Sequence, residues 1–182
     1  FNVFAVKLEE SLRQLVCHAG WSDEDVRLLY GVFYGGVTTL LGVPARLLAG
    51  RVADRYGGLR LLAWTAGCYA LLYLAMNHLH GVWMVALWQV PLYPFYDTAV
   101  YSAASSYAPR DLKASAAGAV MAAQSVGGML VALAGPLTDA YGPRASINLA
   151  TSLIAASLAV TLLTIRRWRS PSAKGFPDAL QP

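Results

Sequence analysis

Asp97 is the residue whose type and setting most strongly indicate chemistry. It is the only Asp, Glu, Lys or Arg between Leu61 and Ala108, and it follows Pro91 and Pro94 closely. A carboxylate in the middle of a membrane costs about 2.5–3.5 kcal/mol unless it pairs, takes up a proton or contacts water. We therefore expect Asp97 to bind a solute or carry a proton. The alternative is a buried acid bonded to a neighbouring helix for packing alone.

A second set of charges lies near the start of the chain. Lys7 and Glu10 are three residues apart and Glu9 and Arg13 are four apart, so each pair can interact on a helix. If Gly20 marks the outer membrane surface, Glu10 lies roughly 15 Å deeper, close to the midplane. We predict that Lys7 and Glu10 line a solute or proton pathway, with Glu9 and Arg13 as weaker candidates. The alternative is a peripheral helix with solvated charges.

Polar and aromatic groups could complete such a pathway. Tyr34 and Gln89 lie in otherwise apolar stretches, and Tyr30 precedes Tyr34 by one helical turn. An aromatic hydroxyl or an amide facing a cavity could hydrogen-bond a solute. The same residue types also serve as ordinary packing groups between helices.

No sequence pattern indicates an enzyme. The Cys and His residues have no metal-ligand spacing, and no nucleophile elbow, phosphate-binding loop or dinucleotide fingerprint occurs. We therefore expect no catalytic residue, no metal site and no cofactor.

The composition is typical of an integral membrane protein. Hydrophobic residues make up 57% of the chain and charged residues only 13%, against about 25% charged in ordinary soluble domains. No charge occurs from Leu28 to Ala45, and a run of that length favours a membrane span over a soluble helix. The net charge of +4 comes from basic residues at the ends of apolar runs. It therefore indicates topology and lipid contact, and no nucleic-acid partner is expected.

The apolar runs predict an all-α, polytopic membrane helix bundle with about six transmembrane helices. The bundle should occupy residues 1–165, and residues 166–182 should form a basic, polar cytoplasmic tail. The chain opens on Phe1 rather than Met, so we expect a piece of a longer protein with a truncated first helix. Proline should kink or unwind the fourth helix. The predicted helices cover about 1–19, 23–48, 59–76, 82–107, 114–137 and 145–165, joined by turns that include 50–60, 77–81, 109–113 and 138–144.

Basic residues predict the orientation of this bundle. Loops expected outside hold only Arg27 and Arg144, and Arg46 is close enough to a helix end to extend to the cytoplasmic surface. By the positive-inside rule, we expect a multi-pass protein of the cell membrane with both chain ends in the cytoplasm. The loops expected inside hold Arg51, Arg55, Arg60, Arg110, Lys113, Arg166, Arg167 and Arg169.

The stretch from Gly50 to Arg60 carries a recognisable motif. It resembles the Gly-x-Leu-Ala-Asp-Arg-x-Gly signature between the second and third helices of each half of major facilitator superfamily transporters. Gly135 to Arg144 repeats Gly, Asp, Tyr-Gly and Arg in the same order, as the family's fifth-to-sixth helix turn does more weakly. The matching residues of the first stretch are Gly50, Ala53, Asp54, Arg55 and Gly57, with Val52 in place of Leu and Arg60 as a displaced basic residue.

This resemblance implies a fold and a mechanism. The fourth predicted helix lacks the family's first-half arginine motif, so the chain resembles the C-terminal six-helix half. The resemblance implies a cytoplasmic gate in which Asp54 faces a helix N-terminus of the other half and Arg55 joins a salt-bridge network. Gly50, Gly57 and Arg60 complete the motif.

The expected function is secondary active transport of a small solute by alternating access, with proton coupling as one option. The expected partners are the lipid bilayer, a small-molecule solute, protons if coupled, and the other half of the transporter. The alternative is a membrane receptor or scaffold that retains this fold without transporting.

Overall fold

A computed structural model describes residues 5–16 and 20–169, and the described chain is entirely helical apart from short connections. Residues 1–4 and 17–19 of the predicted helix 1–19 lie outside this range. The α-helices are α1 (Ala5–Val16), α2 (Asp23–Gly31), α3 (Thr38–Tyr56), α4 (Gly58–His78), α5 (Gly81–Trp88), α6 (Tyr93–Tyr107), α7 (Lys113–Tyr141) and α8 (Pro143–Arg169).

Helices α2 and α3 form one continuous rod, because a π-helical segment (Val32–Val37) joins them without a break. The rod begins at Ser22, whose side chain accepts a hydrogen bond from the Asp25 backbone N–H while the Asp25 carboxylate accepts one from the Ser22 backbone N–H. This reciprocal pair satisfies N–H groups that the first helical turn leaves free. Pro44 lies inside α3 without ending it.

A turn does join two helices within residues 50–60, but its predicted bounds are wrong, because that stretch is helical except at one residue. Gly57 alone separates α3 from α4, with φ 85° and ψ 146°, and its N–H donates to Ala53 O at 2.8 Å. Every residue from Gly50 to Tyr56 is compatible with a helix. The helix ends at Gly57 because its positive φ is readily adopted only by glycine.

The bounds predicted for the turn over residues 138–144 are wrong in the same way, because most of that stretch is helical. Helix α7 continues to Tyr141, and Gly142, with φ 80°, alone connects it to α8. The Gly142 N–H donates to Thr138 O at 2.8 Å, as the Gly57 N–H does to Ala53 O. The two similar sequence stretches thus share one local structure, in which a single glycine with positive φ connects two helices.

The order of contacts shows how α4 packs on α6. A Cβ on Gly58, at the start of α4, would lie 2.4 Å from Ala103 N, near the end of α6. Further along α4, Tyr69 contacts Tyr96, which is earlier in α6, with ring centroids 5.9 Å apart. The two helices are therefore antiparallel.

The two ends of the bundle carry different connections. Asn77 near the end of α4 hydrogen-bonds Asn148 near the start of α8 at 3.4 Å, which puts the α4–α5 and α7–α8 connections at one end. The α3–α4 junction lies at the other end, beside the end of α6. This grouping agrees with the predicted alternation of turns. Helix α8 continues to Arg169, so residues 166–169 are helical.

The described helices bury one main apolar core and leave much apolar surface exposed. The core contains Leu8, Leu12, Met76, Met84, Trp88 and Ile147 together with Tyr69 and Tyr73. Leu40, Trp83 and Met129 are each more than 70% exposed. Exposed apolar area of this extent indicates contact with lipid or with another protein surface.

Three helices in the described part of the chain are long and apolar enough to cross a membrane. They cover Asp23–Tyr56, Gly58–His78 and Arg144–Arg167. The all-helical architecture is thus confirmed for the described residues, while the count of six spans stays a prediction.

Candidate functional site

The position of Asp97 depends on a break between α5 and α6. Helix α5 ends at Trp88, residues 90–92 are not helical, and α6 begins at Tyr93 with Pro94 in its first turn. Pro91 and Pro94 lack the backbone N–H that a continuing helix would need. The interruption predicted for this region is confirmed. It puts Asp97 one turn into α6, where its side chain is half-buried.

Asp97 lines a cavity of about 690 Å³. Among the described residues that line this cavity, Asp97 is the only Asp, Glu, Lys, Arg or His. The rest comprise six aromatic residues, of which five are tyrosines, together with three aliphatic hydroxyl residues and four apolar residues: Tyr34, Tyr69, Tyr73, Trp88, Tyr93, Tyr96, Thr38, Thr39, Ser157, Gly127, Ala150, Leu153 and Ile154.

The aromatic side chains of the cavity contact one another. Tyr69 has its ring centroid 5.5 Å from that of Tyr73 and meets Tyr96 edge-on at 84°. Tyr34 and Trp88 are 5.8 Å apart. Such geometries are favoured by the ring quadrupoles and fix the rings relative to one another. The ring contacts of the wall thus form two groups, one of Tyr69, Tyr73 and Tyr96 and one of Tyr34 and Trp88.

A second cavity, of about 530 Å³, also has Asp97 in its lining. Arg46 lines this second cavity together with Asp97, Tyr101 and Ser102. The guanidinium of Arg46 lies 5.8 Å from the centroid of the Tyr93 ring, within range of a cation–π interaction.

Arg46 was missed as a site residue by sequence reasoning, which expected it to extend to the membrane surface. Its position near a helix end fits that expectation equally well, and its contact Tyr93 is distant in sequence. In the described residues, the ion pairs within 4.0 Å join Arg13 to Glu9 and to Asp23, so Arg46 and Asp97 are neighbours without direct pairing.

Gln89 ties the helix break to the π-helical segment. Its Nε2 donates to Phe33 O at 3.2 Å, and the Thr38 hydroxyl donates to the same oxygen at 2.9 Å. Segments of π-helix inside α-helices occur frequently at functional sites. Tyr34 belongs to this segment and lines the larger cavity. Of the two predicted polar residues, Tyr34 thus faces the cavity, and Gln89 supports its wall.

The charges of α1 lie away from both cavities. The buried Lys7 ammonium donates to the backbone oxygen of Met76, near the end of α4. Glu10 is exposed, and Arg13 pairs with Glu9 at 3.1 Å and with Asp23 at 2.6 Å. Neither Lys7 nor Glu10 is among the described residues that line the two cavities, so the structure does not bring them together with Asp97.

The motif residues gather at the α3–α4 junction. Gly50, Asp54 and Arg55 occupy the last turns of α3, and Gly57 and Arg60 flank the start of α4. The Asp54 and Arg60 side chains are exposed, and the Arg55 guanidinium lies 5.4 Å from the Tyr56 ring centroid. Two opposite charges thus project from one helix end and are accessible to a partner surface.

A comparison with protein-family models decides the affiliation. The model of the Major Facilitator Superfamily matches residues 15–132, which is more than half of the chain. The chain belongs to the major facilitator superfamily. The match includes the α3–α4 junction, Arg46 and Asp97. Searches of curated proteins and of solved structures returned no significant match.

Membership of the major facilitator superfamily gives the general function. Its members are membrane transporters of solutes, so the general function of this multi-pass membrane protein is solute transport. No group of three or more His, Cys, Asp or Glu side chains suited to a metal ion occurs in the described residues.

Proposed function

We propose that the chain is the C-terminal half of a secondary transporter that moves a small solute through the 690 Å³ cavity by alternating access. The observation that carries this proposal is the cavity itself, with one carboxylate in an aromatic wall beside a helix break. Concave sites with few polar groups in a largely apolar wall are typical of small-molecule binding. Interrupted helices near a binding site are also typical of secondary transporters.

Asp97 is the proposed proton-carrying group. It lines both cavities and has Arg46 nearby without a direct ion pair. A half-buried carboxylate without an ion-pair partner is costly within a membrane, so taking up a proton relieves that cost. A proton bound at Asp97 can therefore change the relative stability of two conformations of the helices around it.

The α3–α4 junction is the proposed cytoplasmic gate. The exposed Asp54 carboxylate suits the N-terminus of a helix from the other half, where the helix dipole contributes about half a positive charge. Closing and opening this contact would bias the rocking of one half against the other. The lipid bilayer and the other half of the transporter are the partners that this mechanism requires.

Uptake into vesicles tests the transport proposal. The full-length protein is reconstituted into proteoliposomes and tested with a panel of labelled small solutes. At least one of these solutes should be taken up above the level measured with empty liposomes. Solute binding without any translocation would instead favour a receptor or scaffold that retains the fold.

A variant at the junction tests the gate. Asp54→Asn removes a proposed helix-dipole interaction worth about 0.3–1 kcal/mol. Asp54 itself does not line either of the two cavities. We expect the rate of net uptake to fall while equilibrium solute binding is unchanged. Unchanged uptake would refute the gating role of Asp54.

A further inference from the structure

We infer that the solute is a monovalent organic cation, an amine or quaternary ammonium with apolar substituents, bound between Asp97 and the tyrosine-rich wall. This inference rests on the proposed function of the 690 Å³ cavity and adds the chemical class of its ligand. The juxtaposition that carries it is one carboxylate beside five tyrosines and one tryptophan.

The charge of the cavity favours a cation. Among the described residues that line the cavity, Asp97 is the only Asp, Glu, Lys, Arg or His. Arg46 lines the smaller cavity, which shares Asp97 with the larger one; it makes no ion pair with Asp97 within 4.0 Å, and its charge acts on the carboxylate only from a longer distance. An anionic solute would add a second negative charge and meet no basic side chain in the described wall. A cationic solute would neutralise the carboxylate and so offset the cost of its burial.

The aromatic wall favours an organic cation over a small inorganic one. Faces of Trp and Tyr rings attract cations that lie within about 6 Å of the ring centroid. Tyr93 already makes such a contact, with the Arg46 guanidinium at 5.8 Å. The Tyr69, Tyr73 and Tyr96 rings are held together on one side of the cavity. Apolar substituents on the cation would pack against the ring faces that are not occupied by the charge.

The volume sets the size of the ligand. A cavity of about 690 Å³ falls within the range of about 300–1,000 Å³ that is typical of pockets for drug-sized molecules. A hydrated metal ion would leave most of the aromatic wall without contact. A cation with one aromatic ring and a compact charged group would contact both Asp97 and the ring faces.

Equilibrium binding of benzyltrimethylammonium tests this inference, because its charge does not depend on pH. The full-length protein in phosphatidylcholine nanodiscs should bind the labelled cation saturably, with empty nanodiscs as the blank. Benzyl alcohol and benzenesulfonate, which are neutral and anionic relatives of similar size, should compete at least about tenfold more weakly. Competition by either one as strong as that of the unlabelled cation would overturn the inference, as would the lack of saturable binding.

Variants connect the binding to the residues. Asp97→Asn should raise the Kd at least about tenfold, and Asp97→Glu, which keeps the charge, should stay within about threefold. Asp111→Asn is the matched control, because Asp111 is exposed in the connection between α6 and α7 and outside both cavities. An unchanged Kd in Asp97→Asn would overturn the inference.

A second pair of variants tests the aromatic contribution. Tyr96→Phe keeps a ring face beside Asp97, whereas Tyr96→Leu removes it. We expect the Kd to stay within about twofold in the first and to rise about three- to thirtyfold in the second. Equal affinities for the two variants would refute the contribution of the ring at that position.

Transport assays separate failure of this inference from failure of the proposed function. Translocation of a neutral or anionic solute, without binding of benzyltrimethylammonium, would overturn the cation class and leave the transport proposal standing. Saturable binding of the cation without translocation of any solute would support the cation class and overturn the transport proposal.

Discussion

Gly42→Ala should destabilise the protein, although alanine is the better helix former. Gly42 is buried in α3, and a Cβ at this position would lie 2.0 Å from the Tyr93 hydroxyl oxygen and 2.9 Å from its Cζ. Ordinary contacts between heavy atoms begin at about 3.5 Å, so the end of the Tyr93 ring would have to move by about 1.5 Å. Arg46 rests on that ring and would lose its present contact.

The expected magnitude combines two opposing effects. Overpacking of this kind costs about 1–3 kcal/mol, and replacing a helical glycine by alanine gains about 0.5–1 kcal/mol. The net loss in the free energy of unfolding should therefore lie between about 0 and 2.5 kcal/mol, and relative to a glycine-to-alanine change without overpacking it should be about 1–3 kcal/mol. Because Tyr93 also lines the larger cavity, solute affinity should fall in the same variant.

Thermal unfolding of the detergent-purified protein measures the stability effect. Gly67→Ala is the matched control, because Gly67 lies inside α4 and a Cβ there would meet nothing within 4 Å. Its unfolding temperature should stay the same or rise. Combining Gly42→Ala with Tyr93→Phe removes the closest atom and should recover part of the loss. If Gly42→Ala is as stable as the Gly67→Ala control, the close packing of Tyr93 on α3 is refuted.

Three further predictions follow from the same structure. Gly58→Ala should destabilise the protein more than Gly42→Ala does, because the new Cβ would lie 2.4 Å from the Ala103 backbone N, and a backbone atom cannot rotate away. Fluorescence-detected size-exclusion chromatography should show loss of folded protein. A normal elution profile would contradict the close approach of α4 to α6. Asp97→Asn should abolish accumulation driven by an imposed pH gradient while exchange at saturating solute persists; accumulation that survives would reduce Asp97 to a binding or packing residue. In a cysteine-free background, single cysteines at His80 and Asp111 should label from opposite sides of the membrane with an impermeant thiol reagent, and labelling of both from one side would refute the predicted topology.

Patterns that depend on residues close together in sequence predicted the structure well. The family motif and the apolar runs identified the helical bundle, and Pro91 and Pro94 identified the break before Asp97. The sequence predicts helix ends several residues before Gly57 and Gly142, because the polar residues that precede each glycine are typical of a turn. Charged residues on a helix end that projects from the bundle do not interrupt helical hydrogen bonding.

The site was only partly predictable because its contacts join residues distant in sequence. Asp97 was identified by its isolation in an apolar run, and Tyr34 by its residue type. The contact of Arg46 with Tyr93 and the bond from Gln89 to Phe33 O depend on how α3 meets the α5–α6 break. Lys7 illustrates the same limit, since its carbonyl acceptor is 69 residues away. Helical periodicity gives the face of a helix but not the element that the face will contact.

The single-glycine connections have a consequence for how the helices can move. One residue between two helices keeps the Cα atoms on either side within about 7.6 Å of each other. Helices α3 and α4 are joined in this way through Gly57, and α7 and α8 through Gly142. Neither pair has spare chain, so the joined ends of its two helices stay together in every conformation that keeps both helices intact. Relative movement within each pair is therefore a rotation about one glycine.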